Sequence, residues 1–409
     1  MTKLSADAVV IGGGAAGMMC SLIAARRGLD VILLEPNKML GRKLRITGKG
    51  RCNVTNNCDI KEFLTNIPGD GRFLYSALNR LSPRDTMQFF ESLGLPLKTE
   101  RGNRVFPVSD NANDVAGTLA RNLERSGVRH IRESANHIIA ENGEVTGVKT
   151  DSGDISCRAA VICTGGLSYP LTGSTGAGYK MARELGHSIV PCRPSLVPLE
   201  SDDEYCAQMQ GFSLKNVTLS AYENDKLIFR ELGEMLFTHF GVSGPMVLSA
   251  SAHMRHMVPG RYTLWIDWKP GLTPEQLDNR VLRDLQAYKN ADVANTLGKL
   301  LPRTAIPVVL RLAAIAGDTK GHSITREERN RLVSLLKAFP VSIRGFRPVE
   351  EAIITSGGVS VKEVQAKTME SKLVSGLYFA GEVLDVDAYT GGFNLQIAFS
   401  TGMALGHHI

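Results

Sequence analysis

The sequence predicts an α/β fold in which one domain is split along the chain by a β-rich module and a helical module. Two observations support this prediction. A short apolar strand, a glycine-rich turn and a helix open the chain, and a similar strand-and-glycine pattern returns only near its end. Between them, the sequence alternates as strands do and then becomes helical. We therefore expect the split domain at residues 1–191 and 349–409, the β-rich module at 192–272 and the helical module at 273–348.

The composition restricts the class of protein. With 409 residues the chain is long enough for two or three domains, and 47 Lys and Arg against 41 Asp and Glu make it mildly cationic. No apolar run approaches the ~18 residues that span a bilayer, and no signal-like segment precedes the first strand, so we expect a cytoplasmic protein without a membrane partner. The seven cysteines include no C-x-x-C pair, so we expect neither a disulfide framework nor a metal site.

The first predicted element is an apolar strand, followed by a G-x-G-x-x-G turn that opens a helix. In such a turn Gly12 permits the sharp bend, Gly14 lets the backbone approach a pyrophosphate, and Gly17 lets the helix pack closely on its strand. The N–H groups at the start of the helix, at Ala15 and Ala16, and the positive end of its dipole attract the same anion. The turn therefore predicts a dinucleotide-binding site.

A second strand, Val31–Leu34, is predicted after a helical run that stops at Gly28. It leads into Glu35, about 20 residues beyond the glycine turn, where an acid accepts hydrogen bonds from an adenosine ribose. The positions of the small residues Ser21 and Gly28 fit the spacing of FAD-dependent enzymes better than that of nicotinamide-dependent enzymes. We therefore expect FAD as the cofactor, in a Rossmann-type domain.

The elements that follow are predicted from their residue patterns. Segments 73–93 and 111–126 are expected to be helical, and 128–162 to form a β-meander with a turn at Asn142-Gly143.

The inserted β-rich module alternates as strands do, and a helix start is predicted at Thr273, followed by helices up to Leu336. Strands return at 352–355 and 377–380, and the last helix is predicted at 395–405.

The last strand leads into Gly381-Glu382, in a pattern that resembles the second flavin motif of FAD-dependent enzymes. There the strand end brings an acid and backbone N–H groups to the ribityl chain and the phosphate. The next turn opens the final helix, whose N-terminus would direct N–H groups at the flavin N1–C2=O edge and stabilise the anionic reduced ring. The cofactor-binding candidates of this region are Gly381, Glu382, Gly392, Asn394, Leu395 and Gln396.

Over essentially its whole length the chain resembles the BaiN/YhiN-like family of bacterial flavoproteins. The matching stretches are Gly41–Lys43, Thr47–Asn56, Thr164–Pro170, Gly173–Gly178, Phe237–Pro245, Thr355–Val359, Gly381–Asp387 and Gly391–Gln396. The resemblance implies an α/β, Rossmann-type FAD-binding domain interrupted by an inserted β-barrel and a small helical domain. It also implies cofactor contacts from Arg42, Lys43, Thr47, Gly48, Asn53, Thr164 and Gly165.

The resemblance identifies the cofactor better than the substrate. Family members resemble a dihydrouridine synthase acting on large-subunit ribosomal RNA, an aminoacetone oxidase and a bile-acid pathway reductase. Residues 273–347 hold 13 Lys and Arg against 7 Asp and Glu, a net charge of +6 that equals that of the whole chain. Because Lys and Arg release counterions from a phosphate backbone, we expect ribosomal RNA as the partner of this basic insertion.

Three functions stay open on the sequence. The first is FAD-dependent reduction of a uridine in large-subunit ribosomal RNA to dihydrouridine, by hydride transfer from the reduced flavin. The second is oxidation or reduction of a small molecule, such as an aminoacetone-like amine or an enoate. The third is a non-catalytic, flavin-bound factor that associates with RNA. The electron donor also stays open, with NAD(P)H as a candidate, because no second complete G-x-G-x-x-G unit marks a nicotinamide domain.

Two residues are candidates for catalysis. Cys52 lies in a loop rich in Gly and Arg, where cationic neighbours would lower the pKa of its thiol and suit it to protonate the reduced base; a packing role is the alternative. His239, in a Phe-Thr-His turn, would line the substrate cavity or serve the structure. Of the basic residues near Cys52, we expect Arg45, Lys49 and Arg51 to be free to meet the substrate.

Overall fold

The computed structural model describes residues 4–69 and 71–409. These residues form two compact units. The first holds the chain up to Ser195 together with Val349–Ile409, and the second holds Leu196–Pro348. The first unit is therefore built from both ends of the chain, and its boundaries lie close to those predicted for the split domain.

The strands of the described residues are β1 (Leu4–Ser5), β2 (Ala8–Ile11), β3 (Val31–Leu34), β4 (Thr55–Asn56), β5 (Leu97–Glu100), β6 (Arg104–Pro107), β7 (Arg129–Ile131), β8 (Ala135–Glu141), β9 (Glu144–Thr150), β10 (Asp154–Ser156), β11 (Ala159–Ile162), β12 (Ile189–Ser195), β13 (Leu199–Glu200), β14 (Ser213–Glu223), β15 (Lys226–Thr238), β16 (Gly241–Ser243), β17 (Tyr262–Asp267), β18 (Phe339–Ile343), β19 (Gly345–Phe346), β20 (Ile354–Val359) and β21 (Leu377–Phe379).

The α-helices are α1 (Ala15–Arg26), α2 (Arg42–Ile46), α3 (Ile60–Thr65), α4 (Tyr75–Arg80), α5 (Pro83–Ser92), α6 (Ala112–Arg125), α7 (Ala177–Glu184), α8 (Glu204–Gln208), α9 (Pro245–Ser251), α10 (Pro274–Ala287), α11 (Val293–Thr296), α12 (Ile306–Leu312), α13 (Arg326–Lys337) and α14 (Phe393–Gly406).

A five-stranded parallel sheet with the order β21-β11-β2-β3-β7 forms the centre of the first unit. Every residue of β2, β3 and β11 is buried, as in parallel strands covered on both faces. The register aligns Ile11 with Leu34 and with Ile162, and Ile162 with Phe379. Because these residues end their strands, the segments that follow them leave the sheet at one carboxyl edge, where open α/β sheets bind ligands.

Two helices from opposite ends of the chain, α1 and α14, pack against each other. A Cβ on Gly402 would lie 2.5 Å from the Ala16 carbonyl oxygen, and one on Gly406 would lie 2.7 Å from that of Cys20. At both positions the neighbouring backbone leaves no room for a side chain, so the two helices approach closely. This contact joins the two sequence segments of the first unit.

The prediction of one β-meander over 128–162 is wrong. β7 and β11 belong to the parallel sheet, whereas β8, β9 and β10 form a separate sheet with β1, in the order β1-β10-β9-β8. The residue pattern explains the division, because β11 is buried throughout while β9 mixes buried and exposed positions. The predicted turn at Asn142-Gly143 is confirmed, with φ angles of 53° and 82° between β8 and β9.

The predicted helical segment 73–93 is two helices, α4 and α5. Ser82 accepts a hydrogen bond from the Asp85 N–H in a capping box, and Pro83 occupies the first helical position of α5. These are start signals for a new helix. The segment predicted at 111–126 is confirmed as α6.

The second unit holds a seven-stranded antiparallel sheet with the order β18-β17-β14-β15-β16-β13-β19. Its two outermost strands, β18 and β19, are separated in the chain only by Arg344. Helix α10 begins as predicted, with Thr273 as its N-cap. One hydrophobic core includes Leu219 of the sheet and Leu277 of α10. The helices therefore complete the core of the sheet, and the predicted division at 272/273 does not separate two cores.

Candidate functional site

The glycine turn between β2 and α1 lies at the carboxyl edge of the parallel sheet, and its glycines have different surroundings. Gly12 has a φ of 105°, and a Cβ there would lie 2.6 Å from the Cys163 carbonyl oxygen. A Cβ on Gly17 would collide with the Gly12 carbonyl oxygen, whereas one on Gly14 would meet no atom within 4 Å. The fold itself therefore requires Gly12 and Gly17, while Gly14 borders open space.

The same open space borders the N-terminus of α1, because Gly14 is the N-cap of this helix. No side chain caps the helix, and its first turn, which includes Ala15 and Ala16, holds no acid. First-turn N–H groups and the positive end of the helix dipole form an anion site. This geometry fits a pyrophosphate.

Glu35 follows β3, and neighbouring groups fix its carboxylate. Oε2 accepts a hydrogen bond from the Gly13 N–H at 2.9 Å. Oε1 accepts from the Asn37 N–H at 2.9 Å and from its Nδ2 at 2.7 Å, and Asn37 accepts in turn from Arg42. The carboxylate is thus held beside the glycine turn, where an adenosine ribose would bind. Sequence reasoning missed Asn37, although an Asn two residues after the strand-end acid is a turn signal.

Lys43 and Glu382, both predicted to bind the cofactor, bind each other. Lys43 Nζ lies 2.6 Å from Glu382 Oε2, and 23% and 15% of the two side chains are exposed. Lys43 also donates to Ser168 Oγ at 2.6 Å. Glu382 Oε1 accepts from Ser168 Oγ and from the Thr355 N–H, each at 3.0 Å. The carboxylate therefore joins four segments of the first unit, and its contact with a ribityl chain stays a prediction.

The start of α14 provides a second N-terminus without a side-chain cap or a first-turn acid. Gly392 is its N-cap, with a φ of 98°, and a Cβ there would collide with the Thr55 backbone. Asn394 exchanges hydrogen bonds with the backbone of Ala388, at 2.8 Å and 2.7 Å, so its side chain holds the turn before the helix. The first turn, which includes Leu395, fits the predicted interaction with the flavin ring.

The predicted cofactor contact of Gln396 is corrected by the structure. The side chain is fully buried, Oε1 accepts from Thr55 Oγ1, and Nε2 donates to the Leu81 carbonyl and to Ser400 Oγ, each at 2.9 Å. Its backbone N–H donates to the Gly392 carbonyl at 3.1 Å. Because these bonds engage all its polar hydrogens, Gln396 holds α14 in the core and is not free to contact a cofactor.

The loop from Thr47 to Cys52 has a strained backbone. Gly48, Lys49, Gly50 and Cys52 have φ angles of 58°, 58°, 84° and 59°. Positive φ is unfavourable for Lys49 and Cys52, which carry a Cβ. Such strain persists only where the surrounding structure imposes it, and it clusters at functional sites. The loop shape is therefore consistent with the predicted roles of Thr47 and Gly48.

Hydrogen bonds from the side chains of Thr47, the first residue of this loop, and Asn53, the residue after it, fix the two ends of the loop. Thr47 Oγ1 donates to the Leu44 carbonyl at 2.7 Å, and Asn53 Oδ1 accepts from the Val105 N–H at 3.2 Å. Both residues therefore have a structural role beside the predicted cofactor role.

Cys52 does not have the lowered pKa expected from its basic neighbours. Its side chain is fully buried, and this burial raises the pKa of the thiol to about 12, although a hydrogen bond with Thr47 acts in the opposite direction. Desolvation disfavours the thiolate more than the Thr47 hydrogen bond favours it. The expectation of a lowered pKa is wrong, and the thiol is protonated at neutral pH. Its role as proton donor stays a prediction.

Arg45 and Arg51 are not free, contrary to expectation. Arg51 Nη2 lies 2.6 Å from Asp110 Oδ1, and the guanidinium also pairs with Glu100. Arg45 donates to Asn113 Oδ1 at 2.9 Å. The partners come from β5 (Glu100), from the turn before α6 (Asp110) and from the first turn of α6 (Asn113), which the fold brings beside the loop. Local charge counting does not reveal such partners, because they are distant in the sequence.

Thr164 and Gly165 follow β11 at the same carboxyl edge. Thr164 Oγ1 is buried and has no hydrogen-bond partner among residues 4–69 and 71–409. Gly165 has a φ of 73° and turns the chain beside Ser174. Since buried hydroxyls are nearly always hydrogen-bonded, this orphan group fits a site completed by a ligand.

His239 lies in the second unit, at the turn between β15 and β16. It is exposed, and its ring centroid is 5.0 Å from that of Phe240. Its role in catalysis stays a prediction.

The cations of the basic insertion are largely engaged. Arg329 pairs with Asp278, and Arg331 donates to the carbonyls of Ala313 and Ala314 at 2.8 Å and 3.2 Å. Further ion pairs are Arg280–Asp284, Lys320–Asp292, Lys337–Asp267, Arg344–Glu200 and Arg347–Glu200. Arg311 donates to Gln208 Oε1 at 3.0 Å. Exposed cations with neither an ion pair nor a side-chain hydrogen bond in the described part of the insertion are Arg283, Lys289, Lys299, Arg303 and Arg326. The net charge of +6 therefore overstates the free positive surface.

The described residues contain no group of three or more His, Cys, Asp or Glu placed to hold a metal ion. They also contain no helix with the length and apolar character of a membrane span. The seven cysteines are all free thiols.

These residues fit an FAD. Gly14 and the N-terminus of α1 would hold the pyrophosphate, Glu35 the adenosine ribose, and the N-terminus of α14 the flavin ring. The open space at Gly14 and the unpartnered Thr164 hydroxyl support this fit.

Comparison with known proteins gives matches over nearly the whole chain. The HI0933-like protein Rossmann domain matches residues 6–408. A ribosomal RNA dihydrouridine synthase of Escherichia coli is 32% identical over 401 residues, which cover 97% of this chain and 96% of that protein. A 3-dehydro-bile acid delta(4,6)-reductase of Clostridium scindens is 30% identical over 407 residues, which cover 97% of each. A ribosomal RNA dihydrouridine synthase of Haemophilus influenzae is 30% identical over 403 residues, which cover 97% of this chain and 96% of that protein.

Solved structures show the same fold. A 3-ketosteroid-delta4-(5alpha)-dehydrogenase from Rhodococcus jostii gives a TM-score of 0.50 at 15% identity, over 98% of this chain and 96% of that chain. An E. coli quinol fumarate reductase gives a TM-score of 0.51 at 17% identity, over 99% of this chain and 70% of that chain. With the family match and a site that fits FAD, the protein is an FAD-dependent oxidoreductase with a mixed α/β, Rossmann-type fold. The resemblance drawn from the motifs is confirmed, and this chain belongs to the HI0933-like Rossmann-domain family.

Proposed function

We propose that this protein reduces a uridine of large-subunit ribosomal RNA to dihydrouridine in the cytoplasm, with FAD as its cofactor. The observation that carries the proposal is the full-length similarity, at 32% and 30% identity, to two ribosomal RNA dihydrouridine synthases. A match over 97% of the chain includes the inserted unit as well as the cofactor domain.

The residues of the chain have separate tasks in this proposal. The glycine turn with Glu35 binds the adenosine diphosphate part of FAD, and the start of α14 orients the ring. When bound and reduced, FAD supplies a hydride to C6 of the base. A protein acid supplies the proton at C5; Cys52 stays the predicted donor because it lies in the strained loop, and its fully buried thiol would have to become accessible to the base. A paired uridine must first leave its stack to reach the site.

A second candidate function is reduction of a small molecule. The bile acid reductase of Clostridium scindens is 30% identical over 97% of the chain, which is close to the identity of the two RNA enzymes. By their names, both kinds of relative saturate a carbon–carbon double bond. The comparison therefore favours a double-bond reductase over the amine oxidase and the non-catalytic factor.

We also propose that the second unit consists of a β-barrel and a helical module, both inserted into the FAD-binding domain. In the seven-stranded sheet β18 is the first strand and β19 the last, and only Arg344 separates them in the chain. The segment 339–346 therefore pairs with β17 through β18 and with β13 through β19. This pairing supports a sheet that closes on itself, with the helices of 273–337 packed on its core.

Nucleoside mass spectrometry of ribosomal RNA tests the function. RNA from a strain lacking the gene should lose dihydrouridine from the large subunit, and expression of the wild-type protein should restore it. A Gly14→Val variant is the matched control, because it is designed to fold without cofactor and should not restore the modification. An unchanged dihydrouridine level would remove the RNA function and leave the small-molecule reductase.

The electron donor is tested separately. We propose NAD(P)H, and addition of NADPH or NADH to the purified yellow protein without oxygen should bleach the flavin absorbance. Persistence of the oxidised spectrum with both nucleotides would contradict this part of the proposal.

A further inference from the structure

One face of the sheet in the second unit presents an aromatic side chain next to an unpaired cation. Along β17 the flanking residues Leu264 and Ile266 are buried, whereas Trp265 is 40% exposed. Trp265 pairs with Ser220 on β14, and Ser220 pairs with Arg230 on β15. Because directly paired residues share a face, these three residues form a row across the outer side of the sheet.

This row lies in an open cleft of about 410 Å³. Thr218 and Tyr222, two residues before and after Ser220 on the same face of β14, extend the lining. The cleft therefore combines aromatic rings with hydroxyl groups and is not a purely apolar surface. Its volume is in the range of sites for small ligands.

The charge of the cleft is carried by Arg230. Asp267, the acid in the lining, is neutralised by Lys337, whose Nζ lies 2.6 Å from Asp267 Oδ2. Lys337 also donates to two backbone carbonyls, so its ammonium group is fully engaged. Arg230 is exposed, and its guanidinium makes no ion pair or hydrogen bond with any residue of 4–69 or 71–409. The cleft thus offers one free cation beside an exposed indole.

We propose that this cleft binds an unpaired nucleotide of RNA, with the base stacked on Trp265 and a neighbouring phosphate on Arg230. The inference rests on the proposed function, because it takes RNA as the substrate. Stacking on aromatic side chains and phosphate contacts from exposed cations are how proteins hold single-stranded RNA. An enzyme that takes a base out of its stack also needs a place for the nucleotides around it. The cleft offers such a place on the outer face of this sheet, where Asp267 and Lys337 neutralise each other and Arg230 keeps its charge.

The test uses the full-length FAD protein and octauridylate as the probe. The chain has two tryptophans, and Trp268 is only 4% exposed, so Trp265 is the residue whose fluorescence a stacked base quenches. Trp265→Ala should raise the Kd about fivefold or more, since base stacking contributes about 1–3 kcal/mol per base. Arg230→Gln should reduce the slope of log Kd against log salt by about 0.7, the value for one phosphate contact in single strands.

A matched variant tests whether any exposed aromatic residue gives this result. Tyr288 is 46% exposed at the end of α10 in the same unit, and Tyr288→Ala should bind octauridylate as the wild type does. Trp265→Phe keeps an aromatic ring and should bind with an intermediate Kd.

Three outcomes separate this inference from the proposed function. An unchanged Kd in Trp265→Ala, or an equal loss in Tyr288→Ala, overturns the cleft as an RNA site even where the gene is needed for dihydrouridine. Quenching in the wild type, together with a raised Kd in Trp265→Ala measured by filter binding of labelled octauridylate, supports the cleft. Supported binding together with an unchanged dihydrouridine level in the deletion strain overturns the proposed function and leaves the RNA site in place.

Discussion

Lys43 and Glu382 are 339 positions apart in the sequence and form a 2.6 Å ion pair in the first unit. Lys43 belongs to α2, near the start of the chain, and Glu382 follows β21, near its end. The pair therefore connects the two segments that the insertion separates. Ser168 and Thr355 donate to the same carboxylate, so removal of Glu382 would take an acceptor from three donors, of which the Thr355 N–H has no other acceptor among the described residues.

We expect Glu382→Ala to lower the free energy of unfolding by about 1–3 kcal/mol, because each partly buried donor left unpaired has a desolvation cost. Urea titration followed by circular dichroism measures this value. Asp30→Asn, which weakens the exposed Arg129–Asp30 pair, is the control and should cost less than about 1 kcal/mol. Equal costs for the two variants would show that the Glu382 cluster does not join the segments.

The glycine turn allows cofactor binding to be separated from folding. Gly14→Ala should reduce the FAD content of the purified protein while keeping the stability of the cofactor-free protein within about 1 kcal/mol, because its Cβ meets no protein atom. Gly17→Ala should destabilise the cofactor-free protein itself, since its Cβ collides with the Gly12 carbonyl oxygen. Flavin absorbance and urea titration on the same samples give both quantities. Full FAD content in Gly14→Ala would contradict the assigned pyrophosphate position.

The sequence was sufficient for the part of the fold that local patterns determine. The glycine turn, Glu35 and the Asn142-Gly143 hairpin follow from backbone requirements that act over a few residues. The predictions that failed concern side chains whose hydrogen-bond or ion-pair partners are distant in the chain. Arg51 is paired with acids about 50 to 60 positions away, and Gln396 is engaged by Thr55 and Leu81, so neither side chain's task is visible in its own segment.

The thiol of Cys52 should be unreactive in the folded protein. Burial raises its pKa to about 12, so the reactive thiolate is scarce at pH 8. We expect iodoacetamide at pH 8 to leave Cys52 unmodified in the native protein and to modify it after unfolding in guanidinium, as peptide mass spectrometry would show. Cys58, whose pKa is also raised to about 12 but which is only half-buried, shows in the same digest how much exposure alone contributes to labelling. Rapid native labelling of Cys52 would show that the loop opens to solvent.

His187 should make stability depend on pH. Its ring is buried, and this burial lowers the pKa of the imidazole below its usual value near 6.5, despite the attraction of Glu363. The native state therefore favours the neutral ring, and stability present above pH 6.5 is lost as the pH falls through the folded-state pKa. We expect the free energy of unfolding to drop less between pH 7.5 and 5.5 in His187→Gln than in the wild type. His253, His407 and His408 also have lowered pKa values but are present in both proteins, so the difference isolates His187.

The basic insertion should use its unpaired cations, not its paired ones, to bind RNA. Arg326 and Arg329 both lie in α13, but Arg326 is exposed without a partner in the described structure, whereas Arg329 pairs with Asp278. Arg326→Glu should therefore weaken binding of a large-subunit ribosomal RNA fragment and reduce the slope of log Kd against log salt by about 0.7–0.9, while leaving the melting temperature unchanged. Arg329→Glu should instead lower the melting temperature, because two carboxylates then face each other across α10 and α13. Filter binding at several salt concentrations and thermal unfolding measure the two effects. A salt slope that Arg326→Glu leaves unchanged would remove this helix from the RNA-binding surface, and the cleft at Trp265 and Arg230 would then be the principal candidate for RNA contact in the second unit.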